Sequence, residues 1–201
     1  MIIEILLFDG FDELDGVGPW GVLARAAAER EDADVALVTL DGRSPVRAAL
    51  GLEVVPQRPL SERVDVLVVP GGGWADRAPR GAWAEAARGE VPRAIAARHA
   101  AGTTVASVCT GALLLAAAGL LDGRPATTHH RSLDDLRASG ARVVRERVVD
   151  DGDVVTAGGV TSGLDLALHL VERLFGGELA AAGAAEIEFE RRPAFAGAPG
   201  R

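Results

Sequence analysis

The chain has no lysine, no tyrosine and only one cysteine among its 201 residues. The missing lysine excludes a Walker phosphate loop, which needs that ammonium group on the phosphates. It also leaves arginine as every one of the 21 basic residues. Those arginines are spread evenly and form no stripe, and the net charge is −8, so no nucleic-acid partner is expected. A single cysteine excludes an internal disulfide and makes a reducing cytoplasm the simplest location. The N-terminal run MIIEILLFDG is too short and too soon acidic for a signal peptide. The apolar run at 111–121 is too short to span a bilayer and contains Gly119, so no membrane partner is expected either. His99, His129, His130 and His169 make no metal-ligand spacing with Cys109. The triple glycine Gly71-Gly72-Gly73 lacks both the spacing and the acidic follower of a dinucleotide fingerprint. The expectation is a protein without metal or cofactor.

What is present is an alternation of strands and helices. Apolar β-rich runs fall at 2–8, 33–40, 65–69, 103–108 and 126–128. Between them lie helical patterns: one from Trp20 with Pro19 at its first position, one over 82–101 broken near Pro92, one directly after Cys109, and a brief one over 132–138 capped by Ser132. Residues 45–58 read as a small hairpin, and 141–149 with 153–157 as a second hairpin across Asp151-Gly152. Helices over 162–175 and 178–190 follow, separated by Gly176-Gly177. This order predicts an α/β sandwich with a mostly parallel sheet and helices on both faces. A composition of 48% hydrophobic and 25% charged residues suits one core. One domain is expected over 1–192, with a loose Gly/Pro/Ala-rich tail over 193–201.

In parallel sheets, ligands bind beyond the carboxyl ends of the strands. That rule selects the loop 9–15, the loop at Gly71 to Gly73, the break at Cys109 and Thr110, and the loop at His129. Cys109 sits where a strand turns abruptly into a helix, the layout of a nucleophile elbow. A helix N-terminus there favours thiolate over thiol; the alternative is a small buried hydrophobe. The glycine loop would let backbone N–H groups face an anion beside the sulfur, or simply form a tight turn. Asp15 could meet the thiol or cap the following helix, with Asp9, Asp12 and Glu13 as competitors. Ser162-x-x-Asp165 reads as a capping box.

Three segments carry a family resemblance: Leu14-Asp15-Gly16-Val17-Gly18-Pro19, Val68-Val69-Pro70-Gly71-Gly72 and Ser107-Val108-Cys109-Thr110-Gly111-Ala112. Together they resemble the ThiJ/PfpI superfamily, whose fold is shared with class I glutamine amidotransferases. The run 109–116, Gly119 to Arg124, Ala126-Thr127-Thr128-His129 and Ala157 to Asp165 is similar to isonitrile hydratases and to the sensing domains of related regulators. The resemblance implies a flavodoxin-like sandwich and a homodimer acting on a small molecule. It implies Cys109 as nucleophile, Asp15 as its acidic partner, Thr110 beside the sulfur, Gly71 and Gly72 facing it, and His129 nearby. In this sub-group Thr-Thr-His is usually followed by tryptophan; here His130 follows, altering one wall of the pocket. The implied reaction is cofactor-free hydration of an isonitrile to an N-substituted formamide. The alternatives are a glyoxalase-like or amide-hydrolysing enzyme leaning on His129, and a ligand or oxidation sensor. A DNA-binding regulator is not expected, since no helix-turn-helix segment follows in this acidic chain.

Overall fold

A computed structural model describes residues 1–196. Its elements in chain order are β1 (Ile2–Leu6), α1 (Glu13–Ala28), β2 (Asp34–Thr39), β3 (Val46–Arg47), β4 (Glu53–Val54), β5 (Arg58–Pro59) and β6 (Val66–Val69). They continue with α2 (Ala82–Arg88), α3 (Glu90–Ala100), β7 (Thr104–Ser107), α4 (Gly111–Ala117), β8 (Pro125–Ala126) and a 3-10 turn (His130–Ser132). The last are α5 (Leu133–Ala138), β9 (Arg142–Val143), β10 (Val148–Asp150), β11 (Val154–Ala157), α6 (Ser162–Phe175), α7 (Gly177–Glu186) and β12 (Phe195–Ala196).

Eight strands form one sheet in the order β12-β10-β11-β7-β6-β1-β2-β5. Every neighbouring pair is parallel except β10 with β11. The central strands are buried on both faces because helices cover both: Ile3, Ile5, Val66 to Val69, Val105 and Ala106 are almost completely withdrawn from water. Each such aliphatic side chain stabilises the fold by about 1.5–3 kcal/mol. The expected mostly parallel, flavodoxin-like sandwich is the observed one.

Several local expectations need correction. The first helix begins at Glu13, not after Pro19; Asp12 caps it, its Oδ1 accepting from Leu14 N at 3.1 Å. Pro19 therefore lies inside α1, and Asp15 is released from capping to point inward. The helical stretch 82–101 breaks at Gly89, whose φ of 77° ends α2, while Pro92 fits the first turn of α3 where its missing N–H costs nothing. Ser132 makes no capping bond, and neither does the N-terminus of α6. Asp165 closes no capping box; it is buried and takes Arg147 Nε at 2.6 Å and Arg192 N at 2.7 Å. The segment at 126–128 is shorter than expected, and β8 pairs with β9 in a separate two-stranded sheet. The hairpin across Asp151-Gly152 joins β10 and β11 only. Phe195 and Ala196 add a strand to β10, whereas the rest of the expected tail, 197–201, lies outside the described residues.

Candidate active site

Four segments converge at the carboxyl edge of the sheet: the start of α1, the loop after β6, the elbow after β7 and the loop after β11. Cys109 adopts φ 55°, a left-handed conformation that costs a non-glycine residue about 1–2 kcal/mol. The surroundings hold it there from both sides. Its N–H donates to Ala157 O at 3.1 Å and Gly158 O at 2.8 Å. Its carbonyl accepts from Thr128 Oγ1 at 2.7 Å. Cys109 as a residue is buried, 6% exposed.

Asp15 is fully buried on the first turn of α1. Its Oδ2 accepts from Gly71 N at 3.0 Å. Its Oδ1 has no partner of hydrogen-bond geometry among the described residues, although the Cys109 thiol lies near enough to stabilise the carboxylate. Burial, and secondarily the charge of Asp12, hold the Asp15 carboxyl well above the usual carboxylate range. Burial also pushes the Cys109 thiol up, and the Asp15 charge adds to this. The N–H of Thr110, at the start of α4, acts in the opposite direction and favours the thiolate, but burial is the largest influence. Protonating Asp15 removes one of the three upward influences on the sulfur, the others being burial and the Asp12 charge, so the two groups titrate as a coupled pair.

Thr110 follows the sulfur and anchors the glycine loop: its Oγ1 accepts from Gly72 N at 2.9 Å. A side chain at Gly71 would come within 2.5 Å of Thr110 N, so only glycine permits this approach. Gly71 and Gly72 do surround the site, but their N–H groups are committed to Asp15 and Thr110 rather than open to an oxyanion. The N–H groups that favour the charged sulfur belong to Thr110 and Val160. Val160 was not singled out from the sequence. Its φ of 44° is unusual for a β-branched residue, and the signal was available in the adjacent Gly158-Gly159, which entered the sequence reading only as part of the stretch carrying the family resemblance.

His129 stands at the edge of the same region without bonding the thiol. Its Nδ1 accepts from Arg131 N at 3.3 Å, which leaves Nε2 to carry the hydrogen. Burial, then the charges at His130 and Arg131, lower its pKa, so the ring is neutral at pH 7. The His130 ring lies 4.2 Å from it. Both line a cavity of about 590 Å³ bounded also by Thr128, Gly158 and Val160. Asp9, a competitor for the acidic role, is spent on Arg47 N at 3.0 Å, and Glu13 on Leu50 N at 2.6 Å.

A parallel sheet with a strained cysteine at the strand-to-helix turn, backed by a buried carboxyl, defines a cysteine-elbow protein of the α/β class. The chain belongs to the DJ-1/PfpI family, whose sequence profile matches residues 1–173. It is 38% identical over 195 residues to the isonitrile hydratase of Pseudomonas putida, a match covering 96% of this chain and 80% of that protein. Among solved structures it resembles a ThiJ/PfpI family protein from Pseudomonas syringae, with a TM-score of 0.81, 32% identity and coverage of 95% and 76% of the two chains. It also resembles an AraC family transcriptional regulator from Pseudomonas putida, with a TM-score of 0.77, 26% identity and coverage of 92% and 98%. No helix among the described residues is long and apolar enough to cross a membrane.

Proposed function

We propose that the protein hydrates an isonitrile, R–N≡C, to the formamide R–NH–CHO, without a cofactor. The observation that carries this reading is the buried Asp15 carboxyl near the Cys109 thiol, with no arginine bonded to it among the described residues to fix it as a permanent anion. A carboxyl whose pKa burial has raised can hold a proton to donate and take one back within the reaction. The similarity to an isonitrile hydratase over most of the chain supports the same choice.

The Cys109 sulfur attacks the terminal isonitrile carbon, a soft electrophilic centre. Asp15 passes a proton to that carbon, giving a thioformimidate, R–N=CH–S–Cys. A water adds to the C=N bond: its oxygen bonds the carbon while Asp15 takes one of its protons and passes it to the nitrogen, giving R–NH–CH(OH)–S–Cys. Collapse of this adduct gives the hydroxyl proton to Asp15, breaks the C–S bond, releases the formamide and restores both the thiolate and the carboxylic acid. Thr110 N and Val160 N hold the negative charge on sulfur at both ends of the cycle. Thr110 Oγ1 and Gly71 N position the loop and the carboxyl.

We further infer a cytoplasmic homodimer acting on small molecules. Leu50 and Val55, 89% and 72% exposed beside the β3–β4 hairpin, support a second copy covering that face; sedimentation would measure it. The test of the activity is direct: purified protein with a simple alkyl isonitrile forms the formamide, and Cys109→Ala forms none. Turnover by Cys109→Ala equal to the parent protein would end the proposal.

A further inference from the structure

The cavity beside the elbow has a charge character that hydration of a neutral alkyl isonitrile does not use. Three arginines line it, Arg145, Arg147 and Arg192. Arg147 is already occupied: its Nε binds the buried Asp165 at 2.6 Å and its Nη2 binds Thr161 Oγ1 at 3.2 Å. Arg145 and Arg192 form no ion pair among the described residues. Glu146 is the opposing carboxylate in the lining. With the Arg147–Asp165 pair neutral, the lining carries two further arginines without an ion pair among the described residues, both exposed, and one carboxylate. The His129 ring adds an Nε2–H donor.

This is a cationic hollow in a chain whose net charge is −8. Cys109 itself does not line it, but the cavity adjoins that residue through shared walls. Gly158 accepts the Cys109 N–H, Val160 donates toward the sulfur, and Thr128 holds the Cys109 carbonyl; all three line the cavity. A substrate bound with one end at the sulfur would extend its other end among these donors. Guanidinium forks suit a carboxylate, which accepts two parallel N–H bonds.

We propose that the cavity seats a carboxylate at the far end of the substrate, so that isocyano-carboxylates are preferred over neutral alkyl isonitriles. For the reacting end this rests on the hydratase reading; the carboxylate site itself does not. The test compares 3-isocyanopropanoate with propyl isonitrile. Unmodified protein should show a kcat/KM ratio of about ten or more in favour of the carboxylate. In the double variant Arg145→Gln, Arg192→Gln the ratio should fall to about one. Arg137→Gln, on α5 outside the cavity, should leave the ratio as it was. Equal use of both isonitriles by the unmodified protein, or a preference that survives the double variant, would overturn the proposal.

A second readout needs no turnover. The single cysteine can be alkylated with iodoacetamide in the presence of 3-formamidopropanoate or N-propylformamide. The carboxylate should slow alkylation more than the neutral formamide does, and only while both arginines are present. If neither isonitrile is hydrated but this protection holds, the hydratase reading fails and the carboxylate site stands. If the two formamides protect equally, the carboxylate site fails whatever the turnover.

Discussion

Asp15 and Asp165 are both completely buried aspartates near helix N-termini, and they are built for opposite purposes. Asp165 is saturated: Arg147 Nε meets one oxygen and Arg192 N the other. Asp15 receives one backbone N–H, from Gly71, and its second oxygen has no partner of hydrogen-bond geometry among the described residues, with the Cys109 thiol nearby. A guanidinium would have fixed Asp15 as an anion. Its absence leaves burial to decide, and burial favours the protonated acid. Asp165 is the fully partnered carboxylate, and Asp15, for which we propose the chemical role, is left short of partners.

Replacing each with asparagine should separate these roles. Asp15→Asn should lower isonitrile turnover by about two orders of magnitude or more, since a positioned general acid is worth that much. The same variant should be more stable at pH 7.5. The sign follows from proton binding: a carboxyl with a raised folded pKa holds a proton that the unfolded chain has lost above about pH 4. Stability therefore falls as pH rises between the unfolded and folded pKa values, and asparagine removes that loss. Thermal melts should show a gain of a few degrees at pH 7.5 that fades toward pH 4. Asp165→Asn should do the reverse, costing about 2 kcal/mol in urea unfolding because Arg147 loses its counter-charge in a partly buried place. An Asp165→Asn protein as stable as its parent would erase the distinction.

Smaller effects sharpen the same contrast. Thr110→Val removes the acceptor of the Gly72 N–H and should cost about 1 kcal/mol in the same unfolding measurement. His129→Ala should change kcat/KM less than tenfold, because the ring is engaged with Arg131 N and not with the sulfur. A loss of a hundredfold or more would make the histidine a general acid or base and favour the amide-hydrolysing alternative.

Much of this could be read without coordinates. Apolar runs of strand length, separated by helical periodicity, gave the parallel sheet, and the lone cysteine at a strand-to-helix break marked the elbow. The failures were local and share a cause. Ser162-x-x-Asp165 satisfies a capping pattern, but Arg147, eighteen residues earlier, outcompetes the helix end for Asp165. Asp12 and Asp15 are equally plausible caps by spacing; only packing decides that the first caps and the second turns inward. The glycine loop announced backbone N–H groups near an anion, but which group each would bind depended on Asp15 and Thr110. Val160 escaped notice because its contribution is a backbone N–H, which no side-chain pattern encodes and only the adjacent Gly158-Gly159 hinted at.

The elbow is held by contacts that reach across the sequence: Asp15, Gly71, Thr128 and Gly158 belong to four separate segments. No contiguous fragment of the chain shorter than this span contains the whole arrangement. During refolding, turnover should therefore return only in the last kinetic phase, after the β11 loop has docked on the sheet, and later than most of the helical signal.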